Sequence, residues 1–158
     1  MKWIKKAAYP ISVASFITVL FSIIWYSFQA HNVPACLMNI HTIAAFIHVH
    51  KKDNNDPPEK LSDMSTDDWL VGEVNGLLPR ASFVCPSDPR SIKAIKDSKT
   101  FYSSYHYYPG AAKSGEADEV MLYCTHHVKI IRCVNIAFGD GINRDYSLKE
   151  SKQWLPDL

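Results

Sequence analysis

Apolar positions run almost unbroken over residues 7–28 (AAYPISVASFITVLFSIIWYSF), and the pattern then breaks into a helical repeat. Only after Thr100 do apolar and polar positions alternate. The first stretch has the length of a membrane-crossing helix, which needs about 20 predominantly apolar residues. Over residues 32–51, Leu37, Ile40, Ala44 and Ile47 recur at spacings of three and four, with Ile43 beside them. That repeat predicts an amphipathic stem helix, with Pro34 kinking the join or opening a first turn. The run KKDNNDPPEK ends the stem. Asp56 and Glu59 around Pro57 read as a helix start, Ser65 or Thr66 as the cap of a second short helix over Asp67, Asp68, Trp69 and Leu70, and Asp88-Pro89 as the cap of a third. Residues 101–108 (FYSSYHYY) alternate up to a turn at Pro109-Gly110, and residues 119–124 and 134–138 have strand length. Gly139, Asp140 and Gly141 then supply a tight reversal into a strand over 142–148, before a closing helix or tail at Trp154 and Leu155.

The fold class that follows is α+β: a long N-terminal transmembrane-plus-stem helix, short helices, and a small antiparallel sheet of three or four strands. Residues 1–28 form a cytoplasmic tip and transmembrane anchor, 29–52 the stem, and 53–158 an exported α+β domain. Charge sharpens this division. No Asp, Glu, Lys or Arg lies between Lys6 and Lys51, whereas all the acidic groups and all but three of the basic ones lie from Lys51 onward. Lys2, Lys5 and Lys6 precede the apolar run, which sets the N-terminus in the cytoplasm and the main body outside the inner membrane. Trp3 at one end of the run and Trp25 with Tyr26 at the other suit the headgroup region. The run is too long for a signal peptide, and Phe28-Gln29-Ala30 is a poor cleavage site, so the anchor is expected to stay uncleaved. The chain of 158 residues has a net charge of +1, which removes a global electrostatic case for nucleic acid as a partner.

Five stretches in order carry a resemblance to a known family. They are Cys36-Leu37-Met38-Asn39-Ile40; Asp53-Asn54-Asn55-Asp56-Pro57-Pro58; Phe83-Val84-Cys85-Pro86-Ser87-Asp88-Pro89; Ser104-Tyr105-His106-Tyr107; and Val134-Asn135-Ile136-Ala137-Phe138-Gly139-Asp140-Gly141. With the layout above, they resemble the bacterial prepilin-like proteins of the type II secretion and type IV pilin superfamily, in the branch with a C-terminal processing-associated H-x9-D-G domain. The chain departs from that family in having no Gly after Lys5-Lys6, no Glu in the first turns of the apolar run, Ile142 where a His follows D-G, and Ile130 ten positions before Asp140. A missing membrane carboxylate suits a lone anchor better than a polymerising one. The resemblance implies a pilin-like helix and a non-enzymatic, membrane-anchored pseudopilin-like protein, an accessory or minor component of a type II secretion or pilus-like assembly. Its implied partners are membrane lipid through the N-terminal helix and other pseudopilins or secretion components.

The residues themselves show no G-x-G-x-x-G, P-loop, C-x-x-C or H-E-x-x-H pattern, and no catalytic residue, metal ligand or cofactor is expected. His31, His41, His48 and His50 read as polar-face residues of the stem, since two His two turns apart do not converge on one ion. Cys124, His126, His127, Cys133 and Cys85 have the chemistry of a zinc site, but exported cysteines usually oxidise, and adjacent His residues on a strand face opposite ways. Four cysteines allow three complete pairings, and the sequence leaves them open. Cys85–Cys124 is the pairing carried forward, because it would tie the loop before the sheet to a strand end. Asp140, Asn143, Asp145 and Glu150 offer oxygen donors but fit no calcium-loop spacing, so Gly139, Asp140 and Gly141 are read as a turn motif. The alternative function is a membrane-tethered periplasmic metal-binding or hydrolytic domain using His126, His127 and Asp140.

Overall fold

In the computed structural model, which describes residues 3–69, 76–90, 92–129 and 131–157, one helix, α1 (Trp3–Asn54), contains both the uncharged run and the stem. The helix runs through Pro34 without a break, at the cost of one backbone hydrogen bond to the carbonyl four residues back. The side chains of residues 13–28 are all exposed, Phe16 and Phe21 each by 69%, and α1 is long and apolar enough to cross a membrane. The hydroxyls of Thr18 and Ser22 donate back to the carbonyls of Ala14 and Thr18 at 2.9 Å, the local bonding a hydroxyl needs where no water is at hand.

The second half of α1 is buried along one stripe: Asn32, Cys36, Ile40, Ile43, Ala44 and Ile47. Their spacings of three and four stack them on one face. Leu37 lies half-buried at the margin, and Cys36 takes the inner place. Each fully buried Ile contributes roughly 1.5–3 kcal/mol of transfer free energy. Asn55, at φ 64°, ends the helix in the left-handed region, and Lys51 and Lys52 sit at its negative end. Lys51 Nζ also donates to the carbonyls of Ala112 at 3.0 Å and Lys113 at 2.8 Å, which clamps the stem against the body.

The helix expected at Asp56, Pro57 and Glu59 does not form there. Asp56 pairs with Lys113 at 2.7 Å, and the turn comes later, as a 3-10 segment at Leu61–Met64. Ser65 pairs with Leu78 in a parallel bridge instead of capping a helix, and the rest of that expected helix, from Leu70, lies outside the described residues, as do Ile130 and Lys2. A second 3-10 segment follows at Arg80–Phe83, then α2 (Ile92–Lys96).

The sheet has four antiparallel strands in the order β1 (His106–Tyr107), β2 (Val120–Cys124), β3 (Cys133–Phe138) and β4 (Asn143–Ser147). The alternating stretch before β1 is mostly not strand, because Tyr102 and Ser104 turn to Asp88 while Phe101 and Tyr105 turn to the core. Pro109, expected in a turn, opens α3 (Pro109–Ser114), where a proline loses nothing at a helix start, and Gly115 ends it at φ 73°. β3 is buried along its whole length because both faces are covered: the stem lies over Ala137, while Leu155 and Trp154 cover Val134, Ile136 and Phe138. Between β3 and β4, Gly141 N–H donates to the Phe138 carbonyl, and Ile142 N–H to Asp140 Oδ1, both at 2.9 Å. A last helix, α4 (Leu148–Ser151), starts at a reciprocal cap between Ser147 and Glu150.

Candidate functional site

Three separate segments deliver soft ligands to one point beneath the stem. The buried stripe of α1 carries Cys36 there. Period-two geometry in β2 sends Leu122 and Cys124 to the face that α1 covers. The following loop turns at Thr125, whose carbonyl accepts from Val128 N–H at 3.1 Å, and this brings His127 back under the strand end. Cys85 arrives on the loop after the second 3-10 segment. That loop is held by Ser104 N–H on the Phe83 carbonyl and Asp88 N–H on the Cys85 carbonyl, both at 2.9 Å.

Asp88 sets the shape of this loop. Its side chain is 1% exposed and accepts from Tyr102 Oη at 2.5 Å, Ser104 Oγ at 2.6 Å and Arg90 N–H at 2.9 Å, with His126 Nε2 at 3.3 Å. Asp88 was expected to cap a helix; its carboxylate instead gathers donors from the loop before β1 and the loop after β2. Asn39 on α1 reaches the same loop through its Nδ2, which donates to the Val84 carbonyl at 3.2 Å.

The Sγ atoms of Cys36, Cys85 and Cys124 and a ring nitrogen of His127 all lie within 4.8 Å of one another, and all four residues are at most 1% exposed. His127 Nε2 is 3.3 Å from Cys85 Sγ, and Ser87 N–H points at the same sulfur from 3.4 Å. His127 Nδ1 has no hydrogen-bond partner among the described residues. The Cys124 thiol is pushed up by its hydrogen bonds to Cys36 and Cys85, then by burial. Cys85 is drawn down by Cys124, but its bond to Cys36 and burial outweigh that and push it up. The Cys36 thiol is drawn down by its hydrogen bonds to Cys124 and Cys85, and all three sulfurs are buried from water.

The expected Cys85–Cys124 disulfide is corrected: both thiols are free, as are Cys36 and Cys133. Their side chains face a common centre with two further ligands, so the two sulfurs adjoin without bonding. Four atoms of metal-ligating type do converge, although not the set weighed from the sequence. Cys36 stands where Cys133 was considered, and His127 takes part without His126. Cys133 lies at the start of β3 with its thiol pushed up to about 11 by burial and then by Asp145. Adjacent His126 and His127 do diverge, His126 going to Asp88. Asp140 caps its own turn, Asn143 meets His41 Nδ1 on the stem at 3.1 Å, and Glu150 caps α4, so these oxygens serve three separate purposes. Of the stem histidines, His50 faces the Asp56 carbonyl at 3.2 Å.

Cys36 was missed because it is remote in sequence and sits in an apolar stripe. The available signal was Cys124-x-x-His127, a spacing common in metal-ligand pairs. Chemically, three thiols and an imidazole in a dry pocket can coordinate a soft cation or lose electrons to form a disulfide. A wide cleft of about 820 Å³ lies elsewhere, against Tyr108, Tyr123 and Trp154. Comparison with protein-family models, curated proteins and solved structures finds no match for this chain.

Proposed function

We propose that the protein is a non-enzymatic, single-pass protein of pseudopilin type, anchored in a bacterial inner membrane with its N-terminus cytoplasmic and its sheet outside. It works by protein contact, as an accessory or minor component of a secretion or pilus-like assembly. The observation that carries this reading is the division of α1 into a bare apolar half and a half buried against the sheet, in one continuous helix. Such a rod couples a lipid-embedded segment rigidly to an external domain. The five family-like stretches and their order along the chain support the pseudopilin assignment. A tethered hydrolytic site on His126, His127 and Asp140 has no such support, since the three side chains take up three different settings.

The test is photo-crosslinking in cells that express the full chain, with the reactive residue at Phe21 or at Met38, which is 64% exposed on the stem. The expected result is membrane-bound protein of full mass that resists carbonate extraction, lipid adducts from position 21 and a membrane-protein adduct from position 38. Release into the soluble fraction overturns the anchor. Absence of any protein adduct at position 38 overturns the contact role.

A further inference from the structure

We propose that Cys36, Cys85, Cys124 and His127 form a closed, tetrahedral zinc site that pins the stem helix to the sheet. The donor set is three sulfurs and one imidazole nitrogen, the composition of structural Cys3His zinc centres. The spacing fits. Around a zinc with Zn–S bonds of about 2.3 Å, the edges of a sulfur tetrahedron are about 3.8 Å, and here all ligand atoms lie within 4.8 Å of one another. The ligand atoms need to close by at most about 1 Å to reach those edges.

Two further observations point to a cation. The imidazole of His127 is 0% exposed, its Nδ1 has no hydrogen-bond partner among the described residues, and its Nε2 is set against the Cys85 thiol, so the described protein groups leave a buried ring poorly satisfied. The Ser87 N–H aimed at Cys85 Sγ is the kind of backbone donor that stabilises a metal-bound thiolate. With four protein ligands and no open position, the centre is structural, not catalytic. Binding is balanced as Zn²⁺ plus three thiols and a neutral imidazole giving a complex of net charge −1 and three released protons. The ligands come from α1, the Asp88-shaped loop, and the β2 end with its following loop. One ion therefore joins the anchor's stem to the sheet domain.

The test uses the full chain, extracted in detergent from zinc-replete cells and purified without chelator. Elemental analysis should give about one zinc per chain. Cys36→Ser and His127→Ala should lose the metal, while Cys133→Ser and His126→Gln should keep it. Stripping the zinc should lower the melting temperature on the order of 10 °C, reversed by adding zinc back. Because a ligand variant can fail to fold, Co²⁺ exchange into the unaltered chain gives a second readout: a sulfur-to-cobalt charge-transfer band with tetrahedral d–d bands. Three results would overturn the site: zinc-free protein with no cobalt spectrum, a disulfide among Cys36, Cys85 and Cys124, or zinc that survives Cys36→Ser and His127→Ala.

Discussion

Gly139 stands directly against the backbone of Ala111: a Cβ built on Gly139 would lie 2.6 Å from the Ala111 carbonyl oxygen. The Glu116 carbonyl would be 2.7 Å away on the same side. Neither atom belongs to a flexible side chain, so the turn after β3 can approach α3 and the loop that follows it only with glycine at this position. Gly141 is needed for a different reason. Its φ is +86°, and His48 Nε2 would meet a Cβ there at 2.8 Å.

These two glycines and the Asp between them give an ordered series. Gly139→Ala should cost roughly 1–3 kcal/mol, because the obstructing atoms are backbone. Gly141→Val should cost about 1–3 kcal/mol through its positive φ, although the His48 ring can swing aside. Asp140→Asn should stay within about 0.5 kcal/mol, since an amide oxygen can also accept from Ile142 N–H. Denaturant melts of the full chain in detergent check the order, and an Asp140→Asn effect larger than Gly139→Ala would contradict it.

Asp88→Ala should destabilise the chain by about 3 kcal/mol, since it strands the hydroxyls of Tyr102 and Ser104 around the space left by a buried carboxylate. The same change should loosen the loop that carries Cys85. Faster alkylation of Cys85 under native conditions, read by mass spectrometry, checks this, and an unchanged rate would count against the organising role.

Asn135 is fully buried in β3 and donates through Nδ2 to the Val33 carbonyl at 3.2 Å, tying the central strand to the stem. Asn135→Ala should cost about 1–3 kcal/mol. Hydrogen exchange should then speed up in residues 32–40 more than in residues 13–28, whereas equal acceleration in both would argue against this link.

The exposed pair of Asp56 and Lys113 predicts a small, two-sided pH dependence. The hydrogen bond and charge of Lys113 hold the Asp56 carboxyl below its ordinary 3.8, so its contribution is present above that value and fades as pH falls through the lower folded value. Asp56 in turn holds Lys113 above its ordinary 10.5, so that side fades as pH rises through the higher folded value. Melting temperatures of the unaltered chain and Asp56→Asn should therefore differ slightly at neutral pH and converge below about pH 4. Salt should shrink the neutral difference. A difference that grows on acidification would refute the assignment.

The periodicity and turn signals of the sequence by themselves determined the long uncharged helix, the apolar stripe beyond it, the α+β order and the places of all four strands, the first of them drawn too long. These rest on local rules: hydrophobic length for the membrane segment, a spacing of three and four for the stem, and short apolar runs with a glycine-rich reversal for the strands. Local signals failed where another segment competed for the same groups. Asp56 was drawn to Lys113 instead of starting a helix, Tyr102 and Ser104 to Asp88 instead of extending β1, and Pro109 fitted a helix start as well as a turn. The Cys–His cluster lay furthest from sequence reach. Cys36 lies 49 residues before Cys85 and 88 before Cys124, and nothing local distinguishes it from its apolar neighbours. Only the packing of α1 across β2 and the Asp88-shaped loop puts those three sulfurs and His127 around one point, because side-chain convergence depends on the crossing of elements and not on the order of residues.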